Sequence, residues 1–327
     1  MILNPDQEFK SRIFIINGAI LLLFAVLITI SNGVLLFMIY KDPLKTFRNA
    51  TAVLVISLGF ADLLTGCVTA VDVGISHILE GLAIQKVLLQ AKIISQITVR
   101  AGVFIITMFA VERFIAVVFP YFYRFSVTVR KVTFGCVSCW LLAIISSCLE
   151  LVVDRDVYDV IFLYITFVVP LLTVCVTYCT TYWVLKDKTK RLHRLHSANK
   201  TTKKEGRVSK KSEKLQIELM KTAMLIIFVF VLSLVPFWSL TIIGRYCKSC
   251  KQEKWYIASY RFSIPILYSN SAFNPILYAW RMQPYRRSFQ AIFGRRQVSP
   301  RNSSFADNTQ RNETYVKVSH AGDESKL

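Results

Sequence analysis

The sequence predicts an all-α protein: a seven-transmembrane helix bundle followed by a short amphipathic eighth helix. Of its 327 residues, 54% are hydrophobic and 18% are charged, whereas soluble domains average roughly 45–50% apolar and about 25% charged residues. The apolar residues are gathered into long separate blocks, and a helix needs about 20 of them to cross the hydrocarbon core. Because lipid offers the backbone no hydrogen-bond partners, blocks of this length are predicted to be helices.

Seven such blocks follow one another along the chain. They are Ile13–Tyr40, Ala50–Ile75, Val87–Phe119, Val132–Val153, Val157–Leu185, Leu215–Tyr246 and Trp255–Trp280. We assign residues 1–12 to an extracellular N-terminus, 13–281 to the seven-transmembrane domain and 294–327 to a disordered cytoplasmic tail. Residues 284–293 place Tyr285 and Phe289 on one helical face and arginines on another, which is typical of an amphipathic helix in the membrane interface.

Membrane topology explains the positive charge of the chain. Forty Lys and Arg against twenty Asp and Glu give a net charge of +20. The basic residues collect in Lys41–Arg48, Arg124–Lys131, Lys186–Lys214 and the stretch after Trp280, all on one side of the predicted bundle. Since Lys and Arg favour the cytoplasmic side, we predict a multi-pass plasma-membrane protein with its N-terminus outside and its C-terminus in the cytoplasm. A nucleic-acid partner is not expected.

Polar residues and prolines inside the blocks form an ordered set with members in every helix. A charged side chain at mid-membrane costs about 2.5–3.5 kcal/mol on insertion scales, so each one is expected to have a role. The set is Asn32, Asp62, Glu112-Arg113-Phe114, Trp140, Pro170, Tyr178, Pro236 and Asn274-Pro275-Ile276-Leu277-Tyr278.

In order and spacing, this set resembles the rhodopsin-like (class A) family of G protein-coupled receptors, from Ile13 to Phe293. The resemblance implies a receptor that binds a small extracellular ligand, such as a nucleoside, a lipid-like molecule or a short peptide. It also implies signal transduction to a heterotrimeric G protein by outward movement of the sixth helix, with arrestin and a receptor kinase as further partners. Within the family the chain is loosely similar to the adenosine, melanocortin, lysophospholipid and cannabinoid branch.

The resemblance further implies an activation switch in which Glu112 holds Arg113 until the receptor is activated. Many relatives add a second restraint from an acid at the base of the sixth helix, where this chain has Gln216. Because an amide holds arginine less firmly than a carboxylate, we expect appreciable basal activity. The switch residues are Glu112, Arg113, Tyr178, Gln216, Asn274, Pro275 and Tyr278.

A buried acid in the second helix is the basis for a predicted sodium site. Asp62 cannot stay ionised in the bundle without partners, and three polar residues of the seventh helix share a face toward it: Asn270, Ser271 and Asn274. The resemblance implies that they bind sodium as an allosteric modulator. Gly102 stands where relatives often have a hydroxyl ligand, and a hydrogen-bonded network without sodium is the alternative. No other cofactor is expected.

Helical geometry predicts the residues that line the ligand cavity. Arg100 is the most informative, because a charge within the membrane calls for an anionic partner; Glu150, Asp72 or an anionic ligand are the alternatives, and Arg100→Ala is expected to abolish the agonist response. Trp238 is either the trigger of the sixth helix or a core contact. The predicted lining comprises Asp72, Ser95, Gln96, Val99, Arg100, Phe237, Trp238, Thr241, Ile264 and Tyr268.

Two cysteines outside the apolar blocks predict a small extracellular ring. Cys247-Lys248-Ser249-Cys250 can close a disulfide in an oxidising compartment, with metal binding or free thiols as alternatives. The disulfide that the family commonly forms from the top of the third helix is not expected, because that position is Leu88 and the segment 150–159 has no cysteine.

An enzyme is not predicted. The four histidines are scattered along the chain and suggest no catalytic or metal-binding set. The alternative function is a seven-helix carrier or channel without G protein coupling, but we find neither an internal repeat nor a polar pathway through several helices.

Overall fold

The computed structural model describes residues 4–84, 89–198, 225, 228–281 and 283–294. Seven long helices follow one another. The fifth, α5, is built from three consecutive stretches, Arg155–Leu163, Tyr164–Val168 and Val169–Ala198. The other six are α1 (Pro5–Lys41), α2 (Ala50–Gly81), α3 (Leu89–Val118), α4 (Val129–Cys148), α6 (Phe228–Tyr246) and α7 (Lys254–Arg281).

Short elements complete the described chain. The helix Pro120–Ser126 connects α3 to α4, and single 3₁₀ turns occupy Leu149–Leu151 and Ser249–Gln252. After α7 comes α8, Gln283–Phe293. The predicted all-helical fold is confirmed.

The outer surface of the bundle is apolar, as a protein in lipid requires. Helices α1 to α6 are each long and apolar enough to cross a membrane, and α7, with 28 residues, has the length to do so. Large apolar side chains such as Leu23, Ile30 and Leu141 are more than half exposed. Asn32, Asp62 and Asn274 are instead buried, so the polar groups face inward, where other protein groups can satisfy them.

Helix α1 begins at Pro5, before the apolar block that starts at Ile13. Proline favours the first helical position, and the carboxylates of Asp6 and Glu8 in the first turn favour the positive end of the helix dipole. Asp6 also pairs with Lys254 at the start of α7, with an N–O distance of 2.8 Å. The described part of the predicted N-terminal segment is therefore largely helical.

Glycines allow α1 and α2 to approach each other closely. A Cβ atom on Gly18 would lie 2.6 Å from the carbonyl oxygen of Gly74, and one on Gly74 would lie 3.1 Å from the carbonyl oxygen of Gly18. Packing through small residues is how helices associate in membranes, where lipid gives no hydrophobic drive. This contact brings the first half of α1 and the second half of α2 together.

Two helices widen into π turns. In α2 the segment Thr65–Ala70 follows Asp62 by one turn, and in α5 the segment Tyr164–Val168 comes directly before the buried Pro170. Proline cannot donate a backbone hydrogen bond, and π turns are rare features that are enriched at functional sites. The helix α7 contains Pro265 and Pro275.

The chain divides into two compact units, residues 1–288 and 289–327. In the part of α8 that belongs to the first unit, Tyr285 is buried while Arg286 and Arg287 are exposed. In the second unit the rings of Phe289 and Phe293 lie 4.9 Å apart. Apart from Gly294, the predicted tail lies outside the described residues.

Candidate functional site

Arg113 is held by the carboxylate next to it at the end of α3. Its Nε donates to Glu112 Oε2 and its Nη2 to Glu112 Oε1, both at 2.5 Å. Thr51 of α2 accepts from the same nitrogen and donates to Glu112 Oε1 at 3.2 Å. Both charged side chains are largely buried, with exposed fractions of 14% and 4%. A bidentate pair removed from water is a strong, directional contact, so the guanidinium is fixed against its own helix.

Tyr123 connects the helix Pro120–Ser126 to this pair. Its hydroxyl donates to Glu112 Oε1 at 2.5 Å and lies 3.5 Å from Arg113 Nη2. Burial, together with the Glu112 carboxylate, raises the pKa of Tyr123 to about 12. The hydroxyl therefore stays protonated at neutral pH and remains a donor to Glu112.

The other predicted switch residues that the structure describes lie on α5 and α7. Tyr278 is buried, and its ring lies 5.7 Å from that of Tyr285, which in turn lies 4.7 Å from Phe47. Tyr178 in α5 is 39% exposed. Gln216 lies outside the described residues.

A polar network joins α1, α2 and α7 in the middle of the bundle. Asn274 Nδ2 donates to Asp62 Oδ2 at 2.9 Å. Asn32 Nδ2 donates to the carbonyl oxygens of Ile28 and Ser271, each at 3.0 Å. The predicted switch residue Asn274 is thus tied to the predicted sodium ligand Asp62.

A cavity opens beside this network. Its lining includes three of the four predicted sodium-site residues: Asp62, Asn270 and Ser271. Gly102 forms part of the wall. The side-chain oxygens of Asn270 and Asn274 are buried and have no hydrogen-bond partner among the described residues. The cavity therefore offers a carboxylate and amide oxygen to a positively charged guest.

Arg100 is buried on another face of α3. Its Nη1 donates to Ser147 Oγ at 2.5 Å, and its Nη2 donates to the Tyr158 hydroxyl and, at 3.4 Å, to Gln96 Oε1. These partners are neutral. Gln96 Nε2 in turn donates to Glu150 Oε2 at 2.5 Å, so Glu150, one of the predicted partners, is connected to Arg100 through an amide.

Aromatic rings extend this cluster to α6. The guanidinium carbon of Arg100 lies 4.2 Å from the centre of the Phe162 ring, and that ring lies 5.2 Å from Trp238. Trp238 is buried and also packs against Phe167 and Phe237. It is a core contact of α6 with α5 in this structure.

The residues predicted to line the ligand cavity are therefore divided between the Arg100 cluster and the cavity beside Asp62. Val99 and Tyr268 line the cavity, and Ile264 packs with them against the buried residues of α1. Asp72 interacts electrostatically with Tyr268. Ser95 Oγ is buried with no partner among the described residues, and Thr241 bonds the carbonyl of Phe237 in its own helix at 2.8 Å.

Comparison with known families gives this arrangement its context. Residues 31–157 and 152–278 match the family described as "7 transmembrane receptor (rhodopsin family)". The chain belongs to this family. The predicted class A receptor family is thus confirmed, and the receptor's seven-helix fold with it.

Relatives and a solved structure agree with this assignment. Neuropeptide FF receptor 1 of Rattus norvegicus is 22% identical over 299 residues, which cover 81% of this receptor and 67% of the relative. Histamine H2 receptor of Homo sapiens is 24% identical over 302 residues, covering 85% and 79%. The crystal structure of squid rhodopsin matches with a TM-score of 0.74 and 14% identity, covering 90% of each chain; this likeness concerns the fold alone.

The structure also reveals a polar cluster that was not predicted from the sequence. Arg261 Nη1 donates to His77 Nε2 at 2.7 Å, so His77 Nδ1 carries the proton that bonds Asn17 Oδ1 at 2.8 Å. Asn17 Nδ2 donates to the backbone carbonyl of Arg261 at 2.7 Å. The cluster ties together the first part of α1, the last part of α2 and the first part of α7. The sequence feature that could have indicated this cluster is that all three residues are polar and lie within or beside apolar blocks.

The loop between α6 and α7 contains a disulfide. Cys247 and Cys250 are bonded, with a Cα–Cα distance of 5.3 Å. Gly244, in the last turn of α6, lies against the hydroxyl of Tyr256, which donates to the carbonyl of Leu240 at 3.0 Å. The ring therefore follows a tight contact between α6 and α7.

Proposed function

We propose that this receptor detects a small extracellular ligand and responds by activating a heterotrimeric G protein. In the resting state Arg113 is paired with Glu112. A ligand can shift the receptor toward the active state only if it binds that state more tightly. Release of Arg113 and outward movement of α6 then open the cytoplasmic end of the bundle to the G protein.

One observation carries this proposal: Arg113 is buried in a bidentate pair with Glu112, supported by Thr51 and Tyr123. An arginine placed there only for stability would gain little, because a buried ion pair is often no more stable than apolar residues of the same size. A charge pair at the end of a helix is instead a contact that a partner can break. The family and fold are those of receptors, so no catalytic reaction is proposed.

We further propose that the receptor lies in the plasma membrane with its N-terminus outside. The basic segments, above all Lys186–Lys214, favour the cytoplasmic side. In this orientation the bonded Cys247 and Cys250 face the oxidising exterior, where disulfides persist. Two independent features therefore support the same direction.

For the ligand we propose a peptide or an amine. The names of two relatives, a neuropeptide receptor and a histamine receptor, support these classes. Nucleosides and lipid-like molecules remain the classes that the looser resemblance to the adenosine and cannabinoid branch suggests.

Sodium is proposed as a modulator at Asp62. The residues fit such an ion: Asp62, Asn270 and Ser271 line one cavity, and the side-chain oxygens of Asn270 and Asn274 are without partners among the described residues. Gly102 supplies no ligand. When bound, the ion would balance the carboxylate charge and favour the packing of α7 against α2.

The test is G protein activation in cells exposed to a panel of peptides, amines, nucleosides and lysolipids, with wild type beside Arg113→Ala. We expect at least one class to activate the wild type and Arg113→Ala to abolish the response at equal surface expression. Arg124→Ala, which changes an arginine of the same cytoplasmic side, is the matched control and should keep the response. Equal signalling by wild type and Arg113→Ala would contradict the proposal and favour a carrier or channel.

A further inference from the structure

Three residues of α1, α2 and α7 form a closed cycle of hydrogen bonds. The side chain of Arg261 donates from Nη1 to His77 Nε2 at 2.7 Å, and His77 Nδ1 donates to Asn17 Oδ1 at 2.8 Å. Asn17 Nδ2 then donates to the backbone carbonyl of Arg261 at 2.7 Å. The bonds therefore run in one direction around the cycle, which begins and ends at Arg261.

Only a neutral His77 can complete this cycle. A neutral imidazole has one donor nitrogen and one acceptor nitrogen, whereas the protonated ring has two donors and no acceptor. Arginine also has donors only. A proton taken up at His77 Nε2 would therefore face the donating Nη1 of Arg261, with two positive charges at hydrogen-bond distance. Because like charges this close disfavour the charged form, proton uptake and the closed cycle exclude each other.

The helices packed against His77 do not compensate for a positive charge there. His77 is 5% exposed, and Asn17 is fully buried. Helix α1 faces the cycle with Asn17 and Phe14, whose ring lies 5.8 Å from that of His77, and neither side chain titrates. Helix α7 contributes Arg261, whose guanidinium carbon lies 3.8 Å from the centre of the Phe14 ring. In the part of the chain that the structure describes, the charge in contact with His77 is therefore positive.

Glu80 offers protonated His77 a partner once Arg261 has moved away. It follows His77 by three residues on α2, and residues three apart share one face of a helix. The Glu80 carboxylate is 56% exposed and lies 3.6 Å from Arg261 Nη2, and the Arg261 side chain is 22% exposed. Arg261 thus lies beside water, so it can leave the cycle while the carboxylate accepts a hydrogen bond from His77.

We infer that His77 is a proton-binding site through which the receptor senses acid: when His77 takes up a proton, the cycle opens and the first part of α7 separates from α1 and α2. In the proposed orientation this end of the bundle faces the exterior, so the proton comes from the extracellular fluid. The inference goes beyond the proposed function, because the bound species is a proton and the site lies apart from the Glu112–Arg113 pair.

Proton linkage gives the size of the expected effect. A histidine in contact with water has a pKa of about 6.5. The closed cycle binds fewer protons than the open one, and the state with fewer bound protons is favoured as the pH rises. The closed cycle is therefore favoured at neutral pH and lost as the pH falls below about 6.5. Between about pH 7.5 and about pH 5.5, the ratio of open to closed molecules should rise about tenfold.

The test is backbone hydrogen exchange of the purified full-length receptor in detergent, because exchange reports local opening of a folded protein. It is measured by mass spectrometry at about pH 7.5 and about pH 5.5, and an unstructured peptide corrects for the intrinsic effect of pH. We expect peptides from the last turns of α2 and the first turns of α7 to lose protection at the lower pH, by up to about tenfold. Equal protection at the two pH values would overturn the inference.

Variants assign the acid effect to His77. His77→Gln is the matched variant, since an amide can accept from Arg261 and donate to Asn17 as neutral histidine does, but it takes up no proton in this range. It should keep its protection at both pH values. His196→Gln changes a histidine of the basic segment Lys186–Lys214 and should lose protection in acid like the wild type. An equal loss in the wild type and His77→Gln, or none in His196→Gln, would contradict the assignment.

Arg261→Gln tests the opposing charge and keeps the inference testable if His77→Gln does not fold. It removes the positive charge in contact with His77, while its amide can accept from a protonated imidazole. Proton uptake then no longer requires α7 to move, so acid should leave protection unchanged in this variant. A loss of protection in acid as large as that of the wild type would overturn the inference.

Hydrogen exchange also separates this inference from the proposed function, because the measurement involves no G protein. If acid opens the wild type but not His77→Gln, and Arg113→Ala signals like wild type, the proposed function fails and the proton site stands. If Arg113-dependent signalling is found and acid leaves the exchange of α2 and α7 unchanged, the proton site fails and the function stands.

Discussion

Two buried arginines on α3, Arg113 and Arg100, are held in opposite ways. Arg113 is paired with a carboxylate on the same helix, with two bonds of 2.5 Å. Arg100 bonds Ser147, Gln96 and Tyr158, which are neutral and lie mostly on other helices. One charge is therefore balanced by the adjacent carboxylate, whereas the other is bonded to neutral groups and has the carboxylate of Glu150 as an electrostatic partner.

The difference teaches what each arginine can do. Breaking the pair of Arg113 needs only one competing group at Glu112, and it frees a charge near the C-terminal end of α3, so the pair suits a switch. Moving Arg100 would break contacts with α4 and α5 together and leave buried polar groups unsatisfied, which costs about 1–3 kcal/mol for each group. Arg100 is thus suited to hold α3, α4 and α5 together, including the rings that reach Trp238.

The largest expected effect tests this role of Arg100. Arg100→Ala should abolish the response to the most potent agonist of the panel while surface expression persists, because it removes the group on which α3, α4 and α5 converge. The measurement is a concentration-response curve for G protein activation beside surface labelling.

Arg100→Met separates charge from packing in this comparison, since methionine is flexible and fills much of the same space. It should lose the response like Arg100→Ala, because the hydrogen bonds are absent in both. Unchanged agonist potency in Arg100→Ala would show that Arg100 does not contribute to recognition, and full recovery in Arg100→Met would reduce its role to volume.

A smaller effect is expected when the partner of Arg113, the carboxylate of Glu112, is changed. Glu112→Gln removes the carboxylate charge, so the cationic guanidinium is left with a single neutral amide oxygen, and hydrogen bonds to charged groups contribute about 1.5–3 kcal/mol. If that energy holds mainly the inactive state, basal G protein activity should rise about tenfold or more, since 1.4 kcal/mol is a factor of about ten in an equilibrium. Basal second-messenger level per surface receptor is the measurement.

The control for this change is Glu80→Gln, whose carboxylate is 56% exposed and lies 3.6 Å from Arg261 at the opposite end of the bundle. It should leave basal activity unaltered. If the basal second-messenger level of cells with the wild type equals that of mock-transfected cells, the basal activity expected from Gln216 is contradicted. If Glu112→Gln leaves that level unchanged, the restraining role of the Glu112–Arg113 pair is contradicted.

The contrast between the local partner of Arg113 and the distant partners of Arg100 explains what could be predicted from the sequence. Glu112 is the neighbour of Arg113 in sequence, so the pair followed from a short motif, and the seven helices followed from their apolar blocks. The partners of Arg100 come from α4 and α5, and only the fold brings Ser147 and Tyr158 to it. The cluster of His77, Asn17 and Arg261 likewise joins three helices, which is why no local pattern revealed it.

The smallest effect is expected from one hydroxyl in the Arg100 cluster. Tyr158→Phe keeps the ring that stacks on Phe162 at 5.9 Å but leaves a buried N–H of Arg100 without its acceptor, so it should lower the free energy of unfolding by about 1–3 kcal/mol. Tyr164→Phe, at a position 55% exposed on the same helix, is the control and should have little effect. Thermal unfolding of the purified receptor measures both. Because Arg113 and its pair are unaffected, basal signalling should stay at the wild-type level in Tyr158→Phe; a rise there would mean that the two arginines are coupled along α3 rather than separate.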